Sequence, residues 1–266
     1  MIPAPFRYHR ATSLEDALDA LAEPDAKALA GGMSLLPLLK LRIGRPELVV
    51  DLGRLDLAGI ERANGSLEIG ALTTWDALSR AEELRGGGLD AIADCAAGIG
   101  DLQVRNRGTI GGGLAHADPA ADLPAVAVAL GLELVVRSAN GERTIPACDF
   151  FQGPFATALS DGELVTAVRV STPPTGSGSA YVKVEHPASG FALAGAAALV
   201  TPAGDVRIGI TGVGGAPALV HGEDELVELE VYGDRFAGEE YRRHLARVVV
   251  RRALERARSR AERSSG

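Results

Sequence analysis

Two glycine-rich segments, each placed directly before a predicted helix, constrain this chain more than any other sequence feature. The first is AGGMS (30–34), and the second is TIGGG (109–113) within RNRGTIGGGLAHADPAADLPA (105–125). Glycine permits positive φ angles and close approach of another group, at an entropic cost of roughly 0.5–1 kcal/mol per residue in regular structure. Amides exposed beside the start of a helix attract anions. The pair therefore predicts two loops that close on one anionic group, with diphosphate as the first candidate.

Neither segment is a nucleotide-binding motif on its own. No Gly-Lys-Ser or Gly-Lys-Thr follows either loop, which excludes a P-loop, and the first strand–helix turn lacks the G-x-G-x-x-G pattern of dinucleotide-binding folds. A glycine pair after a strand is also common in tight turns that bind nothing. The prediction of a phosphate site therefore depends on the two segments together.

Composition limits the class of protein. The chain has 266 residues, of which 46% are hydrophobic but only 4% aromatic, so its cores must be packed mainly from small aliphatic side chains. This length accommodates two or three domains. A net charge of -8 argues against nucleic-acid binding, which needs a basic face. No apolar run approaches the roughly 20 residues of a membrane span. The N-terminal MIPAPFRYHRATS lacks the apolar region of a signal peptide, so we expect a cytoplasmic protein.

The chain has two cysteines, Cys95 and Cys148, and their number excludes some cofactors. An iron–sulfur cluster needs about four thiolate ligands, and the spacing of these two matches no zinc motif. We therefore expect two reduced thiols and no metal site on this chain.

Hydrophobic periodicity predicts an α+β fold built in successive blocks. Residues 1–52 end as strand, glycine loop, helix and strand, and residues 53–172 mix strands with helices, one of which runs to about residue 130. The predicted helix caps are Thr12 in a capping box with Glu15, Ser34 before the helix that contains Pro37, and Asp118 with Pro119 as first helical residue.

The third block begins after STPPTGSGSA (171–180), whose proline, serine and glycine content is typical of a linker. Three strands and two helices follow; they are expected at 179–185, 191–200, 205–213, 223–229 and 239–263. We therefore predict one domain over 1–172, with lobes at about 1–52 and 53–172, and a small C-terminal domain over 173–266.

AGGMSLLPLLKLR (30–42) and QVRNRGTIGGGLAHADPAADLPA (103–125) resemble the flavin subunit of bacterial molybdenum hydroxylases. These are the medium subunits of aerobic carbon monoxide dehydrogenase and of related xanthine, nicotine and aromatic-acid dehydrogenases. The resemblance extends from about Pro5 to the C-terminal helix and is most specific in the second motif. It implies a two-lobed FAD-binding domain of the vanillyl-alcohol-oxidase (PCMH) type, followed by a small C-terminal domain of three antiparallel strands and helices.

In that family both glycine loops bind FAD non-covalently through main-chain amides. Carried onto this sequence, the cofactor-binding residues are Ala30, Gly31, Gly32, Met33, Ser34, Thr109, Ile110, Gly111, Gly112, Gly113, Asp122, Lys183 and Phe191. The hydroxyls of Ser34 and Thr109 are expected to act as further donors. Relatives often carry His in place of Met33 and Asn or Ser in place of Gly113, and a side-chain hydrogen bond lost there is worth about 1 kcal/mol.

The residues around the second loop have competing interpretations. The resemblance places Asp122 near the ribityl or adenosine hydroxyls, but an acid in the first turn of a helix is also favoured by the helix dipole. His116 matches a residue type that binds FAD covalently in distant flavoproteins of this fold, which is not expected in this branch. Arg105 and Asn106 are expected to brace the loop rather than to contact FAD.

Two residues of the C-terminal block are implied to lie near the flavin ring. The resemblance places Lys183 beside the cofactor, where a cation favours negative charge on the reduced flavin. Phe191 falls where the family has a bulky group against the isoalloxazine, although an ordinary position on a strand face explains it as well. The arginine that usually follows the lysine is replaced by His186 and Pro187, which weakens the expectation of ring contacts there.

The resemblance implies an electron-transfer subunit without catalytic residues of its own. Substrate is then oxidised at a molybdenum cofactor on a large partner subunit, and electrons cross two [2Fe–2S] clusters on a small partner to FAD on this chain. They leave for a quinone, O2 or NAD+, and the complex is expected to be a dimer of heterotrimers. The identity of the substrate and of the acceptor does not follow from this sequence.

Two other functions remain open from the sequence. One is a stand-alone FAD-dependent reductase or oxidase, for which residues 173–266 make a small substrate domain. The other is a non-catalytic subunit that has lost FAD. The arginine-rich helix at the C-terminus is either a partner-docking surface or a solvated helix face.

Overall fold

The computed structural model of the protein describes residues 2–63 and 65–264, and its first sheet is small and parallel. The elements are β1 (Arg7–Arg10), α1 (Leu14–Leu21), β2 (Ala26–Leu29), α2 (Leu35–Leu41) and β3 (Leu48–Asp51). The strand order is β1–β3–β2, and Arg10 and Leu29 both pair with Asp51. The carboxyl ends of the strands therefore meet, and the AGGMS loop leaves the sheet at this edge.

The second sheet is antiparallel and has five strands in the order β4–β5–β10–β6–β7. Its block contains β4 (Ile60–Ala63), β5 (Ser66–Gly70), α3 (Trp75–Arg80), α4 (Asp90–Gly98), α5 (Leu102–Arg105), α6 (Ile110–His116), α7 (Leu123–Leu130), β6 (Glu133–Ser138), β7 (Gly141–Pro146), α8 (Ala147–Phe150), β8 (Phe151–Gly153), β9 (Ala156–Thr157) and β10 (Leu164–Ser171). Strands β8 and β9 form a separate hairpin. The second glycine segment lies in α6.

The third sheet is antiparallel, with its strands in sequence order. It consists of β11 (Gly178–Glu185), β12 (Ala192–Val200), β13 (Val206–Thr211) and β14 (Ala218–Val220), followed by a 3-10 helix (Asp224–Val227) and by α9 (Glu239–Ser264). The three predicted strands are present. The fourth, β14, was not predicted because three residues are too few to show a periodicity.

Helix α7 joins the second and third sheets into one packed body. All eight of its residues are buried, as expected for a helix that is apolar on every side, and it contacts β12 and β13. A Cβ on Gly209 would lie 2.7 Å from the carbonyl carbon of Ala125. Glycine is therefore required where β13 crosses this helix.

Helix α9 covers the opposite face of the third sheet. Its buried residues recur at helical spacing: Arg242, Leu245, Ala246, Val249, Val250, Ala253, Leu254 and Ala257. Near its end, Arg260 donates to both carboxylate oxygens of Asp94, at 2.6 and 3.0 Å, and to the carbonyl of Ser179 at 2.7 Å. This bidentate pair connects the last helix to α4.

The predicted cap at Thr12 is wrong by one residue. The hydroxyl of Ser13 accepts the amide of Asp16 at 3.1 Å, and the carboxylate of Asp16 accepts the amide of Thr12 at 2.8 Å. Ser13 is therefore the N-cap residue, and Asp16 accepts from the amide of Thr12, one residue before the amide that a capping box uses.

The predicted start of a helix at Pro119 is also wrong, because α7 begins at Leu123. The carbonyls of Pro119 and Ala120 accept amides from the third sheet, those of Gly212 at 3.0 Å and Ala192 at 3.2 Å. These tertiary bonds hold 118–121 as a turn, in which Asp118 accepts the amide of Ala120 at 2.8 Å.

The predicted linker is shorter than its composition indicates. Residues 178–180 belong to β11, and Ser177 and Ser179 are buried. The three sheets occupy 7–51, 60–171 and 178–220, so the boundaries predicted after residues 52 and 172 fall between sheets. The division into domains remains a prediction.

Candidate functional site

The two glycine loops, far apart in sequence, are in contact. A Cβ on Gly31 would lie 2.6 Å from the carbonyl carbon of Arg107 and 2.9 Å from the Cα of Gly108, which immediately precedes the TIGGG segment. A Cβ on Gly112 would lie 3.7 Å from the Cβ of Ala30. Gly31 is thus needed for the close approach of two backbones, and the predicted juxtaposition of the loops is observed.

The first loop presents unused donors. Within residues 2–63 and 65–264, the amides of Gly31, Gly32, Met33 and Ser34 have no hydrogen-bond acceptor. Gly32 adopts a positive φ of 77°, a conformation that glycine readily permits. Ser34 precedes α2, but its hydroxyl makes no capping hydrogen bond, contrary to prediction. Amides and a hydroxyl without protein acceptors are what an anionic ligand requires.

The amides of Ile110, Gly111, Gly112 and Gly113 in the second loop, unlike those of the first, have acceptors within the protein. The amides of Ile110 and Gly111 donate to the carbonyls of Thr73 and Ala71, at 3.0 and 2.9 Å. Those of Gly112 and Gly113 donate to the hydroxyl and carbonyl of Thr109, at 3.2 and 3.0 Å. Because all four have protein acceptors, the second loop does not offer the row of free amides that the family resemblance implies.

Two of the three consecutive glycines are explained by packing. A Cβ on Gly111 would lie 2.5 Å from the Cβ of Ala71, and one on Gly113 would lie 2.6 Å from Cζ2 of Trp75. Gly112 alone is exposed. The second loop therefore contributes the bare surface of Gly112 beside Ala30, and the Thr109 hydroxyl, which caps α6 and can still donate its proton.

Asp122 and Lys183 meet in a buried cluster. The ammonium of Lys183 lies 2.8 Å from one carboxylate oxygen of Asp122, and the hydroxyl of Tyr181 donates to the other at 2.6 Å. Burial raises the pKa of Asp122, and the Lys183 ammonium and the Tyr181 hydroxyl oppose that shift. The side chain of Asp122 makes no capping hydrogen bond to α7. Its main interaction is therefore the ion pair with Lys183 rather than the helix dipole.

Tyr181 was not anticipated as part of the site. It lies two residues before Lys183 on β11, and side chains at this spacing share one face of a strand. This two-residue spacing from Lys183 could have identified Tyr181 from the sequence. Burial raises the pKa of Tyr181 well above its ordinary value, and the negative charge of Asp122 adds to the effect. Tyr181 therefore remains a neutral hydrogen-bond donor to the carboxylate.

Phe191 and Met33 are more exposed than core residues. Phe191 is 46% exposed and Met33 is 37% exposed. Phe191 closes the turn between β11 and β12, where the amide of His186 donates to its carbonyl at 2.8 Å. Its contact with a cofactor remains a prediction, but its exposed ring is not that of an ordinary core residue.

The remaining predicted residues lie around the second loop. Arg105 donates to the carbonyls of Ile99 and Gly100 at 3.1 and 2.8 Å, as expected of a bracing residue. Asn106 ends α5. The ring of His116 lies 5.2 Å from that of Phe155, which explains the histidine by packing.

Residues 2–63 and 65–264 offer neither a metal site nor a membrane span. These residues contain no group of three His, Cys, Asp or Glu side chains arranged to hold a metal ion. None of their helices is both long enough and apolar enough to span a membrane.

Comparisons with known proteins indicate the family of this chain. Residues 4–173 match the family described as the FAD binding domain in molybdopterin dehydrogenase. The carbon monoxide dehydrogenase medium chain of Afipia carboxidovorans is 38% identical over 98% of this chain and 100% of its own length. The glyceraldehyde dehydrogenase medium chain of Sulfolobus acidocaldarius is 40% identical over 82% of this chain and 79% of its own.

A solved structure extends the similarity to three dimensions. Reconstituted CO dehydrogenase from Oligotropha carboxidovorans contains a chain that superposes with a TM-score of 0.92 at 37% identity, covering 98% of this chain and 100% of that one. The chain therefore belongs to the family of FAD-binding medium subunits of molybdenum hydroxylases, and it is an oxidoreductase subunit.

The residues present fit FAD. Contact between the loops at Gly31 brings the exposed backbone of Gly112 beside the first loop, and the unpaired amides at 31–34 point to a ligand rich in acceptors. The hydroxyls of Ser34 and Thr109 complete a donor set suited to a diphosphate.

Proposed function

We propose that this chain holds FAD at the junction of its two glycine loops and serves as the electron-transfer subunit of a molybdenum hydroxylase. When bound, FAD supplies a redox centre that exchanges one or two electrons, which suits a relay between [2Fe–2S] clusters and a quinone, O2 or NAD+. The observation that carries the proposal is the contact of Gly31 with the backbone at 107–108, beside four amides that have no acceptor within the described residues.

Residues of both loops and Phe191 contribute to the binding of FAD. Amides of Gly31, Gly32, Met33 and Ser34 neutralise the diphosphate by donating hydrogen bonds, and the start of α2 adds the favourable end of the helix dipole. Across the junction, the bare Gly112 surface and the Thr109 hydroxyl form the other side. Exposed Phe191 offers an apolar face to the isoalloxazine ring.

We propose that the redox partners lie on other chains. The two cysteines of this chain are too few for a [2Fe–2S] cluster, and the names of the relatives mark them as medium chains. We propose a small iron–sulfur subunit and a large molybdenum subunit as partners, in a dimer of heterotrimers located in the cytoplasm.

Titration of the flavin-free full chain with FAD tests the proposal. Trp75 is the only tryptophan, and its ring packs against Gly108 and Gly113. We expect FAD to quench its emission with saturable stoichiometry of one, and ADP to compete because it shares the diphosphate. A colourless protein that ignores added FAD would instead support the FAD-free alternative.

Purification from the native source tests the assembly. Retention of a cysteine-rich iron–sulfur chain and a molybdenum-containing chain with this subunit is the expected result. Recovery of a flavin-loaded chain alone, with turnover of a substrate of its own, would favour the stand-alone flavoenzyme.

A further inference from the structure

The outward face of α9 carries a concentration of positive charge that the FAD site does not explain. Its exposed arginines are Arg247, Arg251, Arg252, Arg256, Arg258 and Arg263. Over the same stretch the exposed acidic residues are Glu255 and Glu262. The chain as a whole has a net charge of -8, so this helix face is basic on an otherwise acidic protein.

The charges on this face are not used within the chain. Among residues 2–63 and 65–264, the salt bridges made by α9 are those of Arg242 with Asp234 and of Arg260 with Asp94. The six exposed arginines form none, although Glu255 follows Arg251 at the spacing of an i,i+4 pair. Their guanidinium groups therefore remain available to a group outside this chain.

Helical geometry arranges the exposed charges in a definite pattern. At about 100° per residue, Arg247, Arg251 and Arg258 fall in one row along α9. A second row is formed by Arg252, Arg256 and Arg263, and Glu255 and Glu262 lie between the two rows. The face is therefore mixed, with cations along both borders and carboxylates along its centre.

The chemistry of the cations is that of a protein interface. Helix α9 contains nine arginines and no lysine. The planar guanidinium group pairs with a carboxylate through two parallel hydrogen bonds, which the ammonium group of lysine cannot do. Arginine is also enriched, and lysine depleted, where proteins bind one another.

The helix that carries this face is held firmly against the fold. Its inner side packs on the third sheet, and Arg260 pairs with Asp94 near its end. A Cβ on Gly178 would lie 2.5 Å from the amide nitrogen of Ala261, so glycine allows β11 to approach the last turns closely. A fixed surface loses little conformational freedom when a partner binds.

We propose that the two arginine rows of α9 form a docking surface for an acidic surface of a partner subunit. Carboxylates of the partner pair with the rows, and a cation between them faces Glu255 and Glu262. Nucleic acid fits less well, because its phosphates would meet these carboxylates and the negative charge of the whole chain. The inference rests on the proposed function, since the partner is a subunit of the proposed complex.

Competition for a place in the purified native complex tests the inference. The labelled full chain, loaded with FAD, is mixed with the complex, and size-exclusion chromatography measures how much replaces the resident chain. The variants are R247E/R251E/R258E and the neutral R247Q/R251Q/R258Q. The control, K27E/K40E/R54E, makes the same change of charge at three exposed cations of the first lobe.

We expect R247E/R251E/R258E to require roughly 30- to 100-fold more protein than the unmutated chain for half replacement, and the glutamine variant roughly 10-fold more. The control should stay within about threefold, because distant exposed charges are screened. Raising sodium chloride from about 0.1 to 0.5 M should reduce the difference between the variants and the unmutated chain. FAD affinity and melting temperature should be nearly unchanged, since these side chains contact neither glycine loop nor the core.

Three results would overturn the inference and leave the FAD site intact. The first is competition by both arginine variants as effective as that of the control, and the second is a deficit that salt does not reduce. The third is binding of a duplex DNA of about 30 base pairs through the same arginines, which would make nucleic acid the occupant. If the chain occurs without partner subunits in its native source, the proposed assembly itself fails, and this inference with it.

Discussion

Replacing Gly31 by alanine tests whether contact between the two loops creates the FAD site. The added Cβ would lie 2.6 Å from the carbonyl carbon of Arg107 and 2.9 Å from the Cα of Gly108. Non-bonded carbon atoms prefer about 3.5–4.0 Å, and both neighbours are backbone atoms that cannot rotate away. The loops must therefore separate by about 1 Å.

The expected cost follows from this displacement. Overpacking of this kind destabilises by roughly 1–3 kcal/mol, and 2 kcal/mol corresponds to a fall in melting temperature of roughly 4–8 °C for a chain of this size class. A hydrogen bond to a charged group is worth about 1.5–3 kcal/mol. Loss of one such bond to the diphosphate should weaken FAD binding about 10- to 100-fold.

The assay is FAD titration of the flavin-free chain, followed by quenching of Trp75, with melting measured in parallel. Gly44→Ala is the matched control, because its added Cβ would lie 3.7 Å from the Cβ of Leu38, in ordinary contact just after α2. It should change neither quantity appreciably. If G31A bound FAD within threefold of G44A, the loop junction would not be the diphosphate site.

Three further predictions concern single side chains. Ser34→Ala should weaken FAD binding about tenfold without lowering the melting temperature, because the hydroxyl makes no capping bond; an equal loss of stability would contradict this. Arg260→Met should lower the free energy of unfolding in urea by about 2–4 kcal/mol, and exposed Arg258→Met on the same helix by less than about 0.5 kcal/mol; equal effects would refute the role of the Asp94 pair. The side-chain hydrogen bond from Arg143 lowers the pKa of Glu163, so its stabilisation exists above the unfolded carboxyl pKa of about 4.3 and disappears as pH falls through the lower folded value. Glu163→Gln should therefore cost about 1 kcal/mol at neutral pH, since Arg143 is half-exposed, and nothing in strong acid; a difference that persists at low pH would show that the charge is not responsible.

Local sequence patterns predicted most of the elements. The alternation in SLEIG and the periodicity of the last helix correspond to β5 and α9. The error at Asp118 and Pro119 arises because tertiary hydrogen bonds outweigh local preference. Asp118 and Pro119 are favourable residues for the start of a helix. However, amides of the third sheet donate hydrogen bonds to the carbonyls of Pro119 and Ala120, and the helix begins only at Leu123.

For the candidate site, too, some features could be predicted from the sequence and others could not. The glycine motifs alone indicated a paired anion-binding site, since their composition already restricts the local backbone. Their family resemblance named the cofactor. Composition did not distinguish Gly111 and Gly113, which pack on Ala71 and Trp75, from Gly112, which is exposed.

The sequence by itself predicted two glycine-rich turns and showed too few cysteines for an iron–sulfur cluster, because backbone freedom and ligand number are local properties. Only the tertiary structure decided which amides stay unpaired and what the buried charges contact. The pairing of Lys183 with Asp122 joins residues 61 positions apart, and its energy depends on burial that no single segment provides. Long-range packing therefore decides which partners a buried charge has.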